Sequence, residues 1–172
     1  MSDEGRNASS AEGLGALAAA LEREHREIDR GIEAFLADRE RGQGKVEPLR
    51  RAMEALRRHI FLEEEFVFPP LQAAGLVAPI FVMLREHGEI WDTLEVIEAQ
   101  LDAGGGDGPL AASCRVLLEQ LERHNFKEEP IVYPQADAVL GVEGSAALTS
   151  FLAAGRIPEG WVCARAGGSA RR

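Results

Sequence analysis

Four histidines and two glutamates carry the chemistry that can be read from this chain. The four His stand at positions 25, 59, 87 and 124 and are all that the chain has. Two of them open near-copies of one segment, "HIFLEEEFVFPP" from His59 and "HNFKEEPIVYPQ" from His124. Each copy has an aromatic two residues on, a Glu four residues on and a Pro ten residues on. Residues four apart on a helix share a face. Glu63 therefore lies beside His59, and Glu128 beside His124. The other two His also sit in matching segments, "REHREID" around His25 and "REHGEIWD" around His87. His25 to His87 is 62 residues and His59 to His124 is 65, so the order is A, B, A′, B′ with one His in each.

Each His falls on an apolar stripe at helical spacing. Leu21, Ile28 and Ile32 flank His25; Ala55, Leu56 and Phe66 flank His59. Ile80, Met83, Leu84, Ile90 and Leu94 share the face of His87, and Leu117, Leu121 and Ile131 that of His124. One His on such a stripe is more often a core residue than a ligand. Four of them, with two same-face Glu and an internal repeat, reverse that weighting. An ionised carboxylate in an apolar interior costs several kcal/mol unless it is paired or metal-bound. No Lys or Arg lies on these stripes near the middle. A divalent or trivalent cation satisfies imidazoles and carboxylates together. Four imidazoles and two carboxylates at one level can hold two ions, each with two His and with both Glu placed to bridge. Such donors suit iron, zinc or manganese better than copper(I).

The elements that position these residues are helices. No apolar–polar alternation lasts long enough for a strand. The periodicity predicts a first helix over about 12–41 and a second from Pro48, which suits a first turn, to Pro69, which ends or kinks it. A third covers about 79–102, "AGGGDGP" is a loop, and a fourth runs from about 109 to 129, with Pro130 and Pro134 bending or ending it. A shorter helix is expected over about 143–153. Four long helices with short connections imply an antiparallel up-down bundle, built from two repeated hairpins around an approximate two-fold axis. The division is a flexible arm over 1–12, the bundle over 13–140, and a short helix with a basic, irregular tail over 141–172.

Composition narrows the function classes. The 172 residues suffice for one domain with a real core, and the net charge of −10 argues against a nucleic-acid surface. No apolar run is long enough to cross a bilayer, and the acidic start is unlike a secretion signal. Cys114 and Cys163 suggest neither a metal pair nor a disulfide framework, so a reducing cytoplasm is the expected setting.

At His25, "HIFLE" with His59 and Glu63, His87, and "HNFKE" with His124 and Glu128, the chain resembles the hemerythrin-like (HHE cation-binding) domain family over roughly residues 15–140. The resemblance implies a four-helix bundle holding two iron ions, oxo- or hydroxo-bridged, that meet O2, NO or peroxide in a redox or sensing role. It also marks two departures. Oxygen-carrying members place a second His four residues after the third-helix His, where this chain has Trp91, and close with an Asp five residues after the last His, where it has Glu129. Open coordination positions then fit redox chemistry, sensing or storage as well as oxygen carriage. An iron-responsive regulator whose bundle depends on metal is the competing function, and no enzymatic reaction is assigned.

Four further residues stand near the proposed site. Asp29 is open to two readings, an exposed or capping acid and a seventh ligand or imidazole acceptor. Glu129, with Glu64, reads as a solvated neighbour of the bridging pair. Trp91 reads as packing, with a wall of the gas pocket as the alternative. Tyr133 matches Phe68 across the repeat, so core packing accounts for both, with a phenol ligand as the lesser reading. The tail "GWVCARAGGSARR" reads first as a disordered end; the alternatives are that it folds back over one bundle end with Trp161 inserted or docks on a protein partner.

Overall fold

The computed structural model describes residues 15–42, 44–104 and 107–168. The expected N-terminal arm, the start of the first helix at residue 12, and Arg171 and Arg172 of the tail lie outside these residues. The described residues are helical, with no strand. Helix α1 spans Ala16–Glu40 and α2 spans Glu47–Leu62, followed by a π-helical turn over Glu63–Val67. Next come α3 (Phe68–Ala73), α4 (Val77–Asp102), α5 (Asp107–Ile131) and α6 (Tyr133–Ala154). Among the described residues no helix is long and apolar enough to cross a membrane.

Helix α1 packs against α2 and α5, and α4 packs against α5 and α2, so these four close a ring of neighbours. Their apolar faces build two clusters. One gathers Ile28, Leu56, Ile90 and Leu121; the other gathers Leu21, Leu62, Met83 and Tyr133. The four His lie between those clusters along each helix, so a polar layer separates two dry halves.

The ends of the helices depart from the expectation in instructive ways. The second helical run does not stop at Pro69. Pro69 and Pro70 lack the N–H that an α-helix needs, and their rings crowd carbonyls one turn back. The wide turn accommodates them: the Phe68 N–H bonds the Glu63 carbonyl five residues back, and the helix resumes to Ala73. In the second copy the chain breaks at Val132, and Pro134 sits in the first turn of α6. Helix α6 is therefore longer than the segment expected over 143–153, with a kink at Gly141 (φ 65°). Two stripe residues are corrected by the same irregularities. Phe66, within the π turn, is 44% exposed, and Ile131, at the break, is 48% exposed.

Asp137 of α6 closes the start of α1. Its carboxylate accepts from the Leu17 N–H (3.3 Å) and the Ala18 N–H (3.0 Å), two donors that the first turn leaves free, and Ser145 Oγ bonds it at 3.2 Å. Nothing in the spacing of the sequence marks this contact across 120 residues.

The tail is not a disordered end over residues 156–168. It lies back on the side of the bundle, with Cys163 buried and Trp161 edge-on to both Phe61 (5.1 Å) and Trp91 (5.5 Å). Gly88 of α4 makes this approach possible: a Cβ there would stand 2.5 Å from the Arg165 carbonyl oxygen.

Candidate metal centre

Each of α1, α2, α4 and α5 brings one imidazole to the layer between the apolar clusters. His25, His59, His87 and His124 are all buried, and Glu63 and Glu128 are fully so. Their donor atoms form two overlapping groups. One joins His25, His59, Glu63 and Glu128; the other joins Glu63, His87, His124 and Glu128, and within each the donors lie within 4.8 Å of one another. The two glutamates belong to both groups. Glu63 turns Oε1 to His59 Nε2 (3.1 Å) and Oε2 to His87 Nε2 (3.3 Å), so one carboxylate spans the two halves. Glu128 Oε2 lies 3.0 Å from His124 Nε2 and 3.7 Å from His25 Nε2.

The outward ring nitrogens show which face of each imidazole is free to ligate. His25 Nδ1 meets Glu129 at 2.9 Å and His59 Nδ1 meets Glu24 at 2.9 Å. His87 Nδ1 meets Glu64 at 3.0 Å and His124 Nδ1 meets Glu86 at 3.2 Å. A carboxylate only accepts, so every Nδ1 carries a hydrogen, and in the neutral ring each Nε2 points its lone pair inward. The contacts follow the internal repeat. Glu24 and Glu86 each directly precede a His and serve the His of the next helix, while Glu64 and Glu129 each follow a central Glu and serve the His of the other hairpin. Glu64 and Glu129 are thus imidazole acceptors rather than solvated neighbours. The acceptors are themselves held: Arg58 bonds Glu24 at 2.8 Å, Lys127 pairs with Glu86, and the Ala164 N–H of the tail bonds Glu64 at 2.7 Å.

Electrostatics agree with a site built for positive charge. Burial opposes an imidazolium at His59, yet Glu63 and Glu24 hold its proton well above the usual histidine range. Burial likewise opposes charge at His124, but Glu128 and Glu86 lift it to about 10. His87 is raised against burial by Glu63 and Glu64. His25 goes the other way, because burial outweighs Glu129 and Glu128. Glu63 is driven up by burial but held well below its usual range by His59 and His87. Glu86, opposed by burial, is lowered to about 2 by His124 and Lys127. Without a cation, protons must stand in for positive charge.

Those protons do not complete the site. Glu63 Oε2, His87 Nε2 and Glu128 Oε1 are buried without a hydrogen-bond partner. His25 Nε2 and His59 Nε2 face each other at 2.9 Å, a lone pair against a lone pair when both rings are neutral. Converging donors with too few hydrogens are what a metal ion requires, so the residues fit the group that the donor set implies.

The remaining sequence candidates fall into three places. Tyr133 is fully buried and does more than pack: its hydroxyl stands among the donors of the first group. Asp29 faces a cavity of about 10 Å³ bounded by the four imidazoles and Asn125. Burial, with Glu33, Glu129 and Glu122 nearby, pushes its carboxyl up to about 6, and its Oδ1 is buried without a partner. Trp91 lies outside that cavity lining; its Nε1 bonds Glu95 at 3.1 Å and Arg57 stacks over its ring at 5.6 Å, so it packs. Glu24, Glu86 and Asp137 were missed. The doublets "REH" and "EE", present in both halves, were the available signal for the acceptor glutamates.

Comparison with known proteins agrees with the geometry. The family model of the hemerythrin HHE cation binding domain matches residues 16–136, well over half of the chain, and the protein belongs to that family. Its buried His and Glu clusters are those of a cation-binding domain. No curated protein and no solved structure matches the chain.

Proposed function

We propose that the protein is a dinuclear non-haem iron protein that meets O2, NO or peroxide in a redox or sensing role, on an antiparallel four-helix bundle of two repeated hairpins. The observation that carries this reading is the pair of donor groups sharing Glu63 and Glu128. In it, His25 and His59 would hold one ion and His87 and His124 the other, with Glu63 and Glu128 shared between them. Iron at both positions would supply electrons to, or take them from, the small molecule.

The chain's own residues do the rest. Glu24, Glu64, Glu86 and Glu129 fix the tautomer and tilt of each imidazole. Ile28, Leu56, Ile60, Ile90 and Leu121 form the apolar part of the cavity wall beside the imidazoles, and the space is barely large enough for one water-sized guest. Asp29, with its carboxyl near neutrality, is the group placed to hold a proton at Oδ1 toward that guest. A cytoplasmic setting goes with this reading, supported by the buried thiols of Cys114 and Cys163.

One observation favours a second reading, an iron-responsive regulator. Glu64 links His87 on one side to the Ala164 N–H of the tail on the other, so loss of metal at His87 can be felt by the tail. Optical spectra of the isolated protein separate the readings. The first predicts near-ultraviolet bands that change with dithionite, azide or NO. A colourless protein that holds zinc and ignores all three defeats it.

A further inference from the structure

Tyr133 occupies a position that packing does not account for. Its hydroxyl oxygen lies 2.8 Å from Glu63 Oε1, 2.8 Å from His25 Nε2, 3.1 Å from Glu128 Oε2 and 3.2 Å from His59 Nε2. These are the four donors of the first group. A phenol has one hydrogen to give, and the two carboxylate oxygens, Glu63 Oε1 and Glu128 Oε2, already offer more acceptors than that. One hydrogen cannot satisfy this set of neighbours.

The distances have another meaning. Around an ion with bonds of about 2.1 Å, adjacent corners of an octahedron stand about 3.0 Å apart, the bond length times √2. Every separation from the Tyr133 oxygen to the four donors is within 0.2 Å of that spacing. His25 Nε2 to His59 Nε2 (2.9 Å) and His59 Nε2 to Glu63 Oε1 (3.1 Å) fit it as well. The edge from His25 Nε2 to Glu128 Oε2 is wider, at 3.7 Å, so the five atoms approximate the corners of an octahedron with the phenol oxygen next to all the others. The position across from it is left open.

The second group has no such atom. The residue that matches Tyr133 in the repeat is Phe68, buried and stacked on His87 with ring centroids 5.3 Å apart and planes at 23°. The two halves are alike in imidazoles and carboxylates and differ here.

We infer that Tyr133 is a ligand, through its phenol oxygen, to the ion held by His25 and His59, making the dinuclear centre unsymmetrical. This rests on the metal reading proposed above and extends it. When the ion enters, the phenol O–H bond breaks, the proton leaves with water shed by the incoming ion, and an oxygen lone pair forms the new bond. No electron is transferred. The ion with the phenolate has five protein donors and the other has four, so a small molecule finds more room at the ion of His87 and His124.

The test loads the full chain with ferric iron and follows iron content and visible absorption together. Phenolate bound to ferric iron absorbs in the visible through charge transfer, which imidazole and carboxylate ligands do not give. The wild type should take up iron with a visible band, and resonance Raman excitation in that band should enhance phenolate ring modes. Tyr133→Phe should keep most of its iron and lose the band. Iron uptake by the wild type without phenolate modes overturns the inference while leaving the metal centre standing, as does a band that survives in Tyr133→Phe. A wild type that takes up no iron overturns both. The Raman result on the wild type decides the matter even if the variant folds poorly.

Discussion

Glu63 is shared between the donor groups, whereas each imidazole belongs to one, and this difference has a measurable size. A ligand present at 100 times its Kd stabilises the folded state by about 2.7 kcal/mol. For a chain of this length that is roughly 5–10 °C in Tm. His25→Ala removes a donor from the first group alone, so the account predicts the loss of one such increment. Glu63→Gln keeps the side-chain volume and one oxygen but removes the charge that both groups share and the oxygen donor of one of them, so both increments should shrink. The metal-free protein also suffers, because His59 loses the carboxylate that holds its proton, at about 3–5 kcal/mol for breaking a buried pair. The readout must therefore be the gain in Tm on adding metal to each chelated protein, alongside metal content by elemental analysis. A Glu63→Gln protein that loses no more metal-dependent gain than His25→Ala would refute the shared-carboxylate reasoning.

Two other expectations follow from the same contacts. In the metal-free protein the His124 proton is held to about 10 against an ordinary 6.5, and a raised folded value stabilises below the unfolded one and is lost as pH rises through the folded one. Tm of the chelated protein should fall between pH 7 and 10, as stability drops by an amount on the order of a few kcal/mol, while the metal-loaded protein stays nearly flat; parallel curves would contradict this. Gly88→Ala should lift the tail, since its Cβ would run into the Arg165 carbonyl. Faster proteolysis within residues 156–168, together with roughly 10–100-fold weaker metal retention at His87 as its outer partner loosens, is the expected result, and unchanged metal release would separate the tail from the site.

The layer of four imidazoles and two glutamates was legible because these residues obey regular helical spacing. His59 with Glu63 and His124 with Glu128 share a face at four residues, and the repeat supplied the other two imidazoles. The outer glutamates were less visible, since a Glu next to a His points off the stripe on its own helix and finds its partner only on a neighbouring one. Tyr133 was legible only as a lesser reading, because of its phase. Nine residues at about 100° each place it opposite His124 on an unbroken helix. The interruption at Val132, like the π turn before Phe68, resets the rotation and brings the side chain inward. Proline signalled both interruptions, but a helix stop and a change of phase look alike in sequence. The tail was legible only as an alternative, through Trp161, because part of its hold comes from backbone N–H groups at Ala164 and Gly167 meeting Glu64 and Asp92, and backbone donors leave no trace in composition.

The most direct measurement is the location of metal in crystals of the iron-loaded protein by anomalous scattering. The account predicts two ions, one within bonding distance of His25 and His59 and the other of His87 and His124, with Glu63 and Glu128 reaching both. A single ion, or ions bound away from these imidazoles, would contradict it.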